Sequence, residues 1–224
     1  CAHFVKYFQT KKLKIINQTS AFLGEYLVNY DKIFKKNFKE KFFIKKTNNH
    51  KDLSQIILKE LLKNKFGMLC RGRYEIGPRA LCNRSLIARV DMKINHKLMN
   101  KIKEREQWRP LAPITSEKYF STYFKGPMNP YMLTTQKVLL PQKIPGVTHV
   151  DLSARCQLIS LEDKLVCNLL NGLEKNNIPP LLINTSLNSK DEPILNDTNR
   201  IIEFFNSFKE LSFLVLDKTI LLKK

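Results

Sequence analysis

Nine arginines occur in this sequence against thirty lysines, and four of the nine lie between Arg71 and Arg84. They sit in the stretch Arg71-Gly72-Arg73-Tyr74-Glu75-Ile76-Gly77-Pro78-Arg79-Ala80-Leu81-Cys82-Asn83-Arg84-Ser85, with Arg89, Arg105 and Arg109 soon after. A guanidinium is a rigid planar fork that matches phosphate or carboxylate bidentately, whereas an ammonium is a flexible point charge. A chain that uses lysine for general charge and concentrates arginine in one stretch is building an anion site there. Gly72 and Gly77-Pro78 mark a folded loop whose backbone can approach a ligand closely. The plainer alternative is an exposed basic loop.

Three further polar clusters have spacings that could serve the same chemistry. Lys103-Glu104-Arg105 is followed by Arg109. Lys103 and Arg105 share a side only if the chain there is extended, so a clamp requires the preceding helix to stop first. Otherwise the pair is a solvated helix end favoured by the helix dipole. Thr148-His149-Val150-Asp151 precedes Arg155 and Gln157. If one strand continues through them, His149, Asp151, Arg155 and Gln157 share a face at period two. His149 and Asp151 could equally be a structural hydrogen-bonded pair. Asn184-Thr185-Ser186-Leu187-Asn188 is a hydroxyl and amide turn after an apolar run, suited to phosphate or ribose oxygens, or it is simply a cap or Asx-turn.

The 224 residues suffice for one large domain with a sizeable core. A hydrophobic share of 43% with 26% charged residues is a globular composition, not a disordered one. No apolar run approaches the roughly 18 residues of a membrane-spanning helix, and no signal-peptide block opens the sequence. The first residue is Cys1, which reads as a fragment or an excised domain. Five scattered cysteines without a CxxC, and four scattered histidines, argue against structural zinc and for reduced thiols in a cytoplasm. The net charge of +19 raises nucleic acid as a partner. It is spread, however, with +10 on the first 66 residues and +9 on the rest. Accompanied by abundant Asn, Ile and Phe, it reads as compositional bias and weighs against a nucleic-acid surface.

The elements that must position these clusters are of mixed type. Residues 1–50 show no clean periodicity and read as a basic linker or the remnant of a preceding domain; the domain proper is expected over 51–224. Asp52 is the expected cap of a helix carrying Leu53, Ile56, Ile57 and Leu61. Strands are expected at 66–70 and 85–88, then a helix over 93–103 with Ile94, Leu98 and Ile102 on one face. Ser116 is a plausible cap of a short helical turn ending near Phe120. Further strands are expected at 132–138, 147–151, 154–160, 180–185, 212–216 and 219–222, with helices over 162–176 and from Asp197 or Thr198. Without strict βα alternation the expected class is α/β with a mixed sheet.

The clusters together resemble a known family. Gly72 to Leu81 followed by Asn83-Arg84-Ser85 is similar to the signature of the carbamoyltransferases of nodulation-factor, antibiotic and surface-sugar modification, in their C-terminal domain. Arg105-Glu106 with Arg109-Pro110 and Ala112-Pro113, Thr148 to Asp151 with Ala154-Arg155 and Gln157, and Asn184 to Asn188 with Glu192-Pro193-Ile194 resemble three further blocks, and the likeness runs from about Lys51 to Leu222. Cys82, Leu152 and Asp191 stand where the family pattern has glycine, and Arg71 where it has glutamine. A side chain at position 82 opposes φ > 0.

What the resemblance implies is a YrdC-like fold, a twisted mixed sheet flanked by helices, that uses ATP with Mg²⁺ and carbamoyl phosphate to form carbamoyl adenylate. A separate N-terminal domain of actin-like fold, possessed by the family and supplied either from upstream in the same protein or by a separately encoded partner, would pass the carbamoyl group to a hydroxyl. Lys103-x-Arg105 and Ser186-x-Asn188 resemble the phosphate- and nucleotide-binding pairs of YrdC-like domains. Lys103, Arg105 and Arg79 are the implied catalytic residues. Arg73, Glu75, Arg84, Arg109, His149, Asp151, Arg155, Asn184, Ser186 and Asn188 are the implied substrate and ATP ligands, with no protein-bound metal. The competing readings are a non-catalytic basic module that binds nucleic acid, and an inactive fragment.

Overall fold

The computed structural model of the chain describes residues 20–27 and 40–224. Its main sheet has eight strands in the order β1 (Phe42–Lys46), β11 (Thr219–Lys223), β10 (Leu211–Leu216), β2 (Phe66–Cys70), β3 (Arg84–Arg89), β9 (Leu182–Ser186), β4 (Ala112–Ser116) and β8 (Gln157–Ile159). The β10–β2 and β4–β8 pairs are parallel and the other five antiparallel. The expected mixed sheet is thus what the chain forms. A second, antiparallel sheet joins β5 (Phe124–Lys125), β6 (Gln136–Val138) and β7 (Ser153–Ala154).

The central strands are apolar on both sides because both faces of the sheet are covered. In β2, Met68 and Cys70 enter one core and Leu69 the other; in β10, Leu214 and Leu216 part from Phe213 and Val215 in the same way. One face is roofed by α1 (His50–Leu62) and α4 (Lys164–Lys175), through Leu53, Ile57 and Leu61 against Val166, Leu169, Leu170 and Leu173. The other is covered by α2 (Lys93–Ile102) and α5 (Thr198–Ser207), through Met99, Ile102, Ile201 and Phe205. The short helix α3 (Glu117–Tyr123) sends Tyr119 to one core and Phe120 and Tyr123 to the other. Each fully buried leucine or isoleucine contributes about 1.5–3 kcal/mol, which holds helices of 13 and 12 residues that would be marginal alone in water.

Four sequence expectations need correction. The cap of α1 is Asn49, whose side chain accepts the Asp52 N–H at 2.9 Å; Asp52 instead lies in the first turn. Residues 42–46 are not linker but edge strand β1. Phe42 alone of its five residues is fully buried, and Lys45 and Lys46 protect an exposed edge, so the alternation is too weak to read. Residues 1–19 and 28–39 of the expected linker lie outside the described residues. Finally, no strand forms over 147–151, which is a turn, and the strand expected at 132–138 is confined to Gln136–Val138.

Candidate functional site

The arginine-rich stretch is the connection from β2 to β3. Its organiser is Glu75, 2% exposed, whose Oε1 accepts the N–H groups of Leu81, Asn83 and Arg84 at 2.6, 2.8 and 3.2 Å. A carboxylate holding three main-chain donors is a strong anchor, so Glu75 shapes the loop from within. Arg84 is also structural. It is fully buried, and it donates to the carbonyls of Arg71, Gly72 and Asn83 and to Asn196 Oδ1. Neither residue lines the two cavities described below, and the bonds they make serve the loop and not the ligand role that the family resemblance implies for them.

Arg71 is spent on the fold as well. Its guanidinium bridges Asp163, the N-cap of α4, and its Nε donates to the Cys82 carbonyl at 2.9 Å. Burial pushes the Asp163 carboxyl up, but the Arg71 guanidinium outweighs this and holds it below the ordinary range. Arg73 turns away from the other arginines. It donates to the carbonyls of Gly24 and Leu23 at 2.7 and 2.8 Å, fastening residues 20–27 to the loop. Gly24 has to be glycine here, since a Cβ would lie 2.3 Å from the Tyr74 ring.

Arg79 behaves differently. It is exposed, and among the described residues its only side-chain hydrogen bond is a 3.4 Å contact to the carbonyl of neighbouring Pro78. It lines two adjoining cavities. The first, about 320 Å³, also has Arg105, His149, Asp151, Arg155, Asn184 and Ser186 in its wall. The second, about 400 Å³, is bounded by Lys103, Arg105, Arg109, Ser186 and Asn188. Arg79, Arg105 and Ser186 belong to both. Burial and then the nearby Arg155 press the Arg79 guanidinium below its ordinary value; Arg105 is pushed down to about 10 by burial and Arg109. Among the described residues neither Arg79 nor Arg155 has an acidic partner. Asp151 in the first wall and Glu104, Glu106 and Asp191 in the second offset part of the positive charge, and the unpaired guanidiniums of Arg79 and Arg155 still favour an anion between them.

The end of α2 meets the end of β9 at the second cavity. The helix stops at Ile102, and Glu104 takes φ +50, so Lys103 and Arg105 emerge from a turn rather than a helix. Lys103 is 5% exposed, and its Nζ donates to the Ser186 carbonyl at 2.7 Å, Ser186 Oγ at 3.1 Å, the Asn188 carbonyl at 2.6 Å and Asn188 Oδ1. Burial, and next Arg105, lower its pKa to about 7. Arg105 is steadied by Asn100 Oδ1 at 2.6 Å, and Arg109 pairs with Glu106 at 2.9 Å, both about half exposed. Among the described residues no three His, Cys, Asp or Glu side chains converge on a metal position.

His149, Asp151 and Arg155 reach the first cavity from a turn instead of one face of a strand. Asp151 Oδ1 accepts both the N–H and the hydroxyl of Ser153, and Leu152 takes φ +60. This local hydrogen bonding competes successfully with the alternating pattern that suggested a strand. Gln157 consequently separates from them and binds Asn184 in the interior. The sequence reading missed Met132 and Thr135, which complete the cavity wall, and the partners Asp163 and Asn196. Nothing local marks these four; a buried arginine demands acceptors but not particular ones.

Residues 58–223 match the family model described as carbamoyltransferase C-terminus. The chain is 36% identical over 139 residues to the 3′-hydroxymethylcephem-O-carbamoyltransferase of Amycolatopsis lactamdurans, covering 61% of this chain and 27% of that protein. It is 41% identical over 132 residues to nodulation protein U of Sinorhizobium fredii, covering 57% and 24%. It therefore spans about a quarter of the length of these relatives. In fold it is similar to full-length HypF in the phosphate- and nucleotide-bound form, with TM-score 0.53 and 15% identity over 81% of this chain and 22% of that one. The match of more than half the sequence to one family model means that this chain belongs to the carbamoyltransferase C-terminus family.

Proposed function

We propose that this chain binds ATP and carbamoyl phosphate in its two adjoining cavities and forms carbamoyl adenylate, the activation half of O-carbamoyl transfer. The observation that carries the proposal is the sharing of Arg79, Arg105 and Ser186 between two cavities that also hold Lys103, Arg109 and Arg155. Two polyanions repel each other, and the barrier to joining them is largely one of charge and position. Water takes the phosphoryl group of carbamoyl phosphate, leaving phosphate and carbamate. A carbamate oxygen then attacks the α-phosphorus of ATP, and the bond to pyrophosphate breaks. Mg²⁺, arriving with the nucleotide, neutralises the phosphate charge. Arg79, Arg105 and Arg155 hold the phosphoryl oxygens, and Lys103 fixes the Ser186 and Asn188 turn against them.

Onward transfer to a hydroxyl is assigned to an N-terminal domain of the kind that the family resemblance implies. The test is pyrophosphate release by the 224-residue chain. It is expected to require both substrates and to disappear in Arg79→Ala and Lys103→Ala. Release that ignores carbamoyl phosphate, or near-normal turnover in both variants, contradicts the reading. Salt-sensitive RNA binding indifferent to ATP supports a nucleic-acid module instead.

A further inference from the structure

The side-chain amide of Asn184 is only half used. The residue is 2% exposed and lies on β9, two positions before Ser186. Its Nδ2 donates to the Ala80 carbonyl at 2.8 Å and to Gln157 Oε1 at 2.7 Å. Gln157 Oε1 also receives the Cys82 thiol at 3.6 Å. These bonds fix the orientation of the amide, since turning it over would set Oδ1 against two acceptor oxygens. Oδ1 itself is buried and has no partner among the described residues, although Asn184 lines the cavity of Arg79, Arg105 and Arg155. Buried acceptors are nearly always satisfied, and an orphan at a cavity calls for a donor on a ligand.

The substrates proposed above offer three kinds of donor: the carbamoyl NH₂, the ribose hydroxyls and the exocyclic amine of adenine. Position separates them. Ala80, to which the amide is bonded, directly follows Arg79, and Ser186 two residues on is held by Lys103. A carbamoyl group is one bond away from its phosphoryl oxygen, whereas the ribose hydroxyls lie several bonds from the α-phosphorus and the adenine amine a whole nucleoside away. An acceptor embedded in the phosphate clamp suits the carbamoyl group. We propose that Asn184 Oδ1 accepts a hydrogen bond from the carbamoyl NH₂ and so selects carbamoyl phosphate over acyl phosphates that lack an N–H donor. This inference rests on the function proposed above.

Acetyl phosphate, with CH₃ in place of NH₂, is the discriminating probe. Calorimetric titration of the 224-residue chain is expected to give a Kd for carbamoyl phosphate about tenfold or more below that for acetyl phosphate, because the analogue leaves Oδ1 unpaired. Asn184→Leu should bring the ratio close to one. Equal affinities in the unaltered chain overturn the inference without reference to any variant. An Asn184→Leu variant that weakens a non-hydrolysable ATP analogue but keeps the carbamoyl phosphate preference assigns Oδ1 to the nucleotide and also overturns it. Absence of saturable carbamoyl phosphate binding removes the proposed function itself.

Discussion

Lys103 Nζ lies 2.7 Å from the carbonyl oxygen of Ser186 and 3.1 Å from its hydroxyl, joining positions 83 residues apart in the chain. The contact ties the helix end that carries Arg105 to the strand end that carries Asn184. Two elements that each bring part of the cavity wall are therefore registered by one buried ammonium. Ser186 Oγ in turn donates to Asn188 Oδ1 at 2.7 Å, so the turn beyond the strand is held in the same network.

Proton uptake should report this ammonium directly. With a pKa of about 7 in the free protein, Lys103 is mostly neutral at pH 8 and mostly charged at pH 6. A bound phosphate raises that value, so ligand binding at pH 8 draws protons from the buffer, and binding at pH 6 draws few. Titrations in buffers of different ionisation enthalpy should show the difference, and Lys103→Met should remove it. Stability runs in the same direction. The folded pKa lies below the unfolded one of about 10.4, so the unfolded chain holds the extra proton and the penalty at Lys103 fades as pH rises from about 7 towards 10.

Arg73 and Arg79 provide a contrast within one loop. Arg79→Ala should weaken phosphate-ligand binding by on the order of 10²-fold, as expected for one donor of an electrostatic clamp. Its melting temperature should stay near that of the unaltered chain, because the side chain makes only one weak hydrogen bond among the described residues. Arg73→Ala should behave oppositely. Loss of its bonds to the Gly24 and Leu23 carbonyls costs about 0.5–1.5 kcal/mol per bond at most, while ligand affinity is retained. Calorimetry and urea melts on the two variants separate the roles.

The difference between these two arginines could not be read from the sequence. In a signature stretch, an arginine that grips a ligand and one that grips a carbonyl look alike; burial and partner distinguish them. Arg84 and Glu75 were assigned to ligands for that reason, and both prove to hold the loop together. The segment around His149 failed differently, because an Asx-type turn at Asp151 interrupted an alternation that locally favours a strand. The apolar strands 66–70 and 211–216 and the helices over 93–102 and 164–175 were legible. Their patterning reflects burial against a sheet, which the local sequence records.

The Arg71–Asp163 pair should dominate stability on the acidic side. Each side chain is 15–17% exposed, so removing one partner strands a largely buried charge. Asp163→Ala is expected to cost about 3–5 kcal/mol, and Asp163→Leu combined with Arg71→Met considerably less than the single change. Because the folded pKa of Asp163 lies below the unfolded value near 3.9, its contribution is complete above about pH 5. It is lost as pH falls through the folded value. Denaturant midpoints at pH 7 and pH 3 should therefore converge for Asp163→Ala relative to the unaltered chain.

Cys82, Leu152 and Asp191 take φ of +80°, +60° and +57°, so all three side chains occupy a backbone region suited to glycine. A left-handed conformation costs a non-glycine residue roughly 1–2 kcal/mol, but what the side chain returns differs at each site. Leu152 is 47% exposed and returns little, so Leu152→Gly should raise stability by about 0.5–1 kcal/mol after the entropy of glycine is counted. Cys82 is fully buried beside Ile87 and Val215, and its loss leaves a small void, so Cys82→Gly should be neutral or destabilising by about 1 kcal/mol. Asp191 is exposed, and aspartate tolerates this region, which leaves Asp191→Gly within a few tenths. Urea unfolding of the three variants should rank them Leu152→Gly, Asp191→Gly, Cys82→Gly in decreasing stability. A destabilised Leu152→Gly would mean that the His149–Ser153 turn adopts a different backbone in solution.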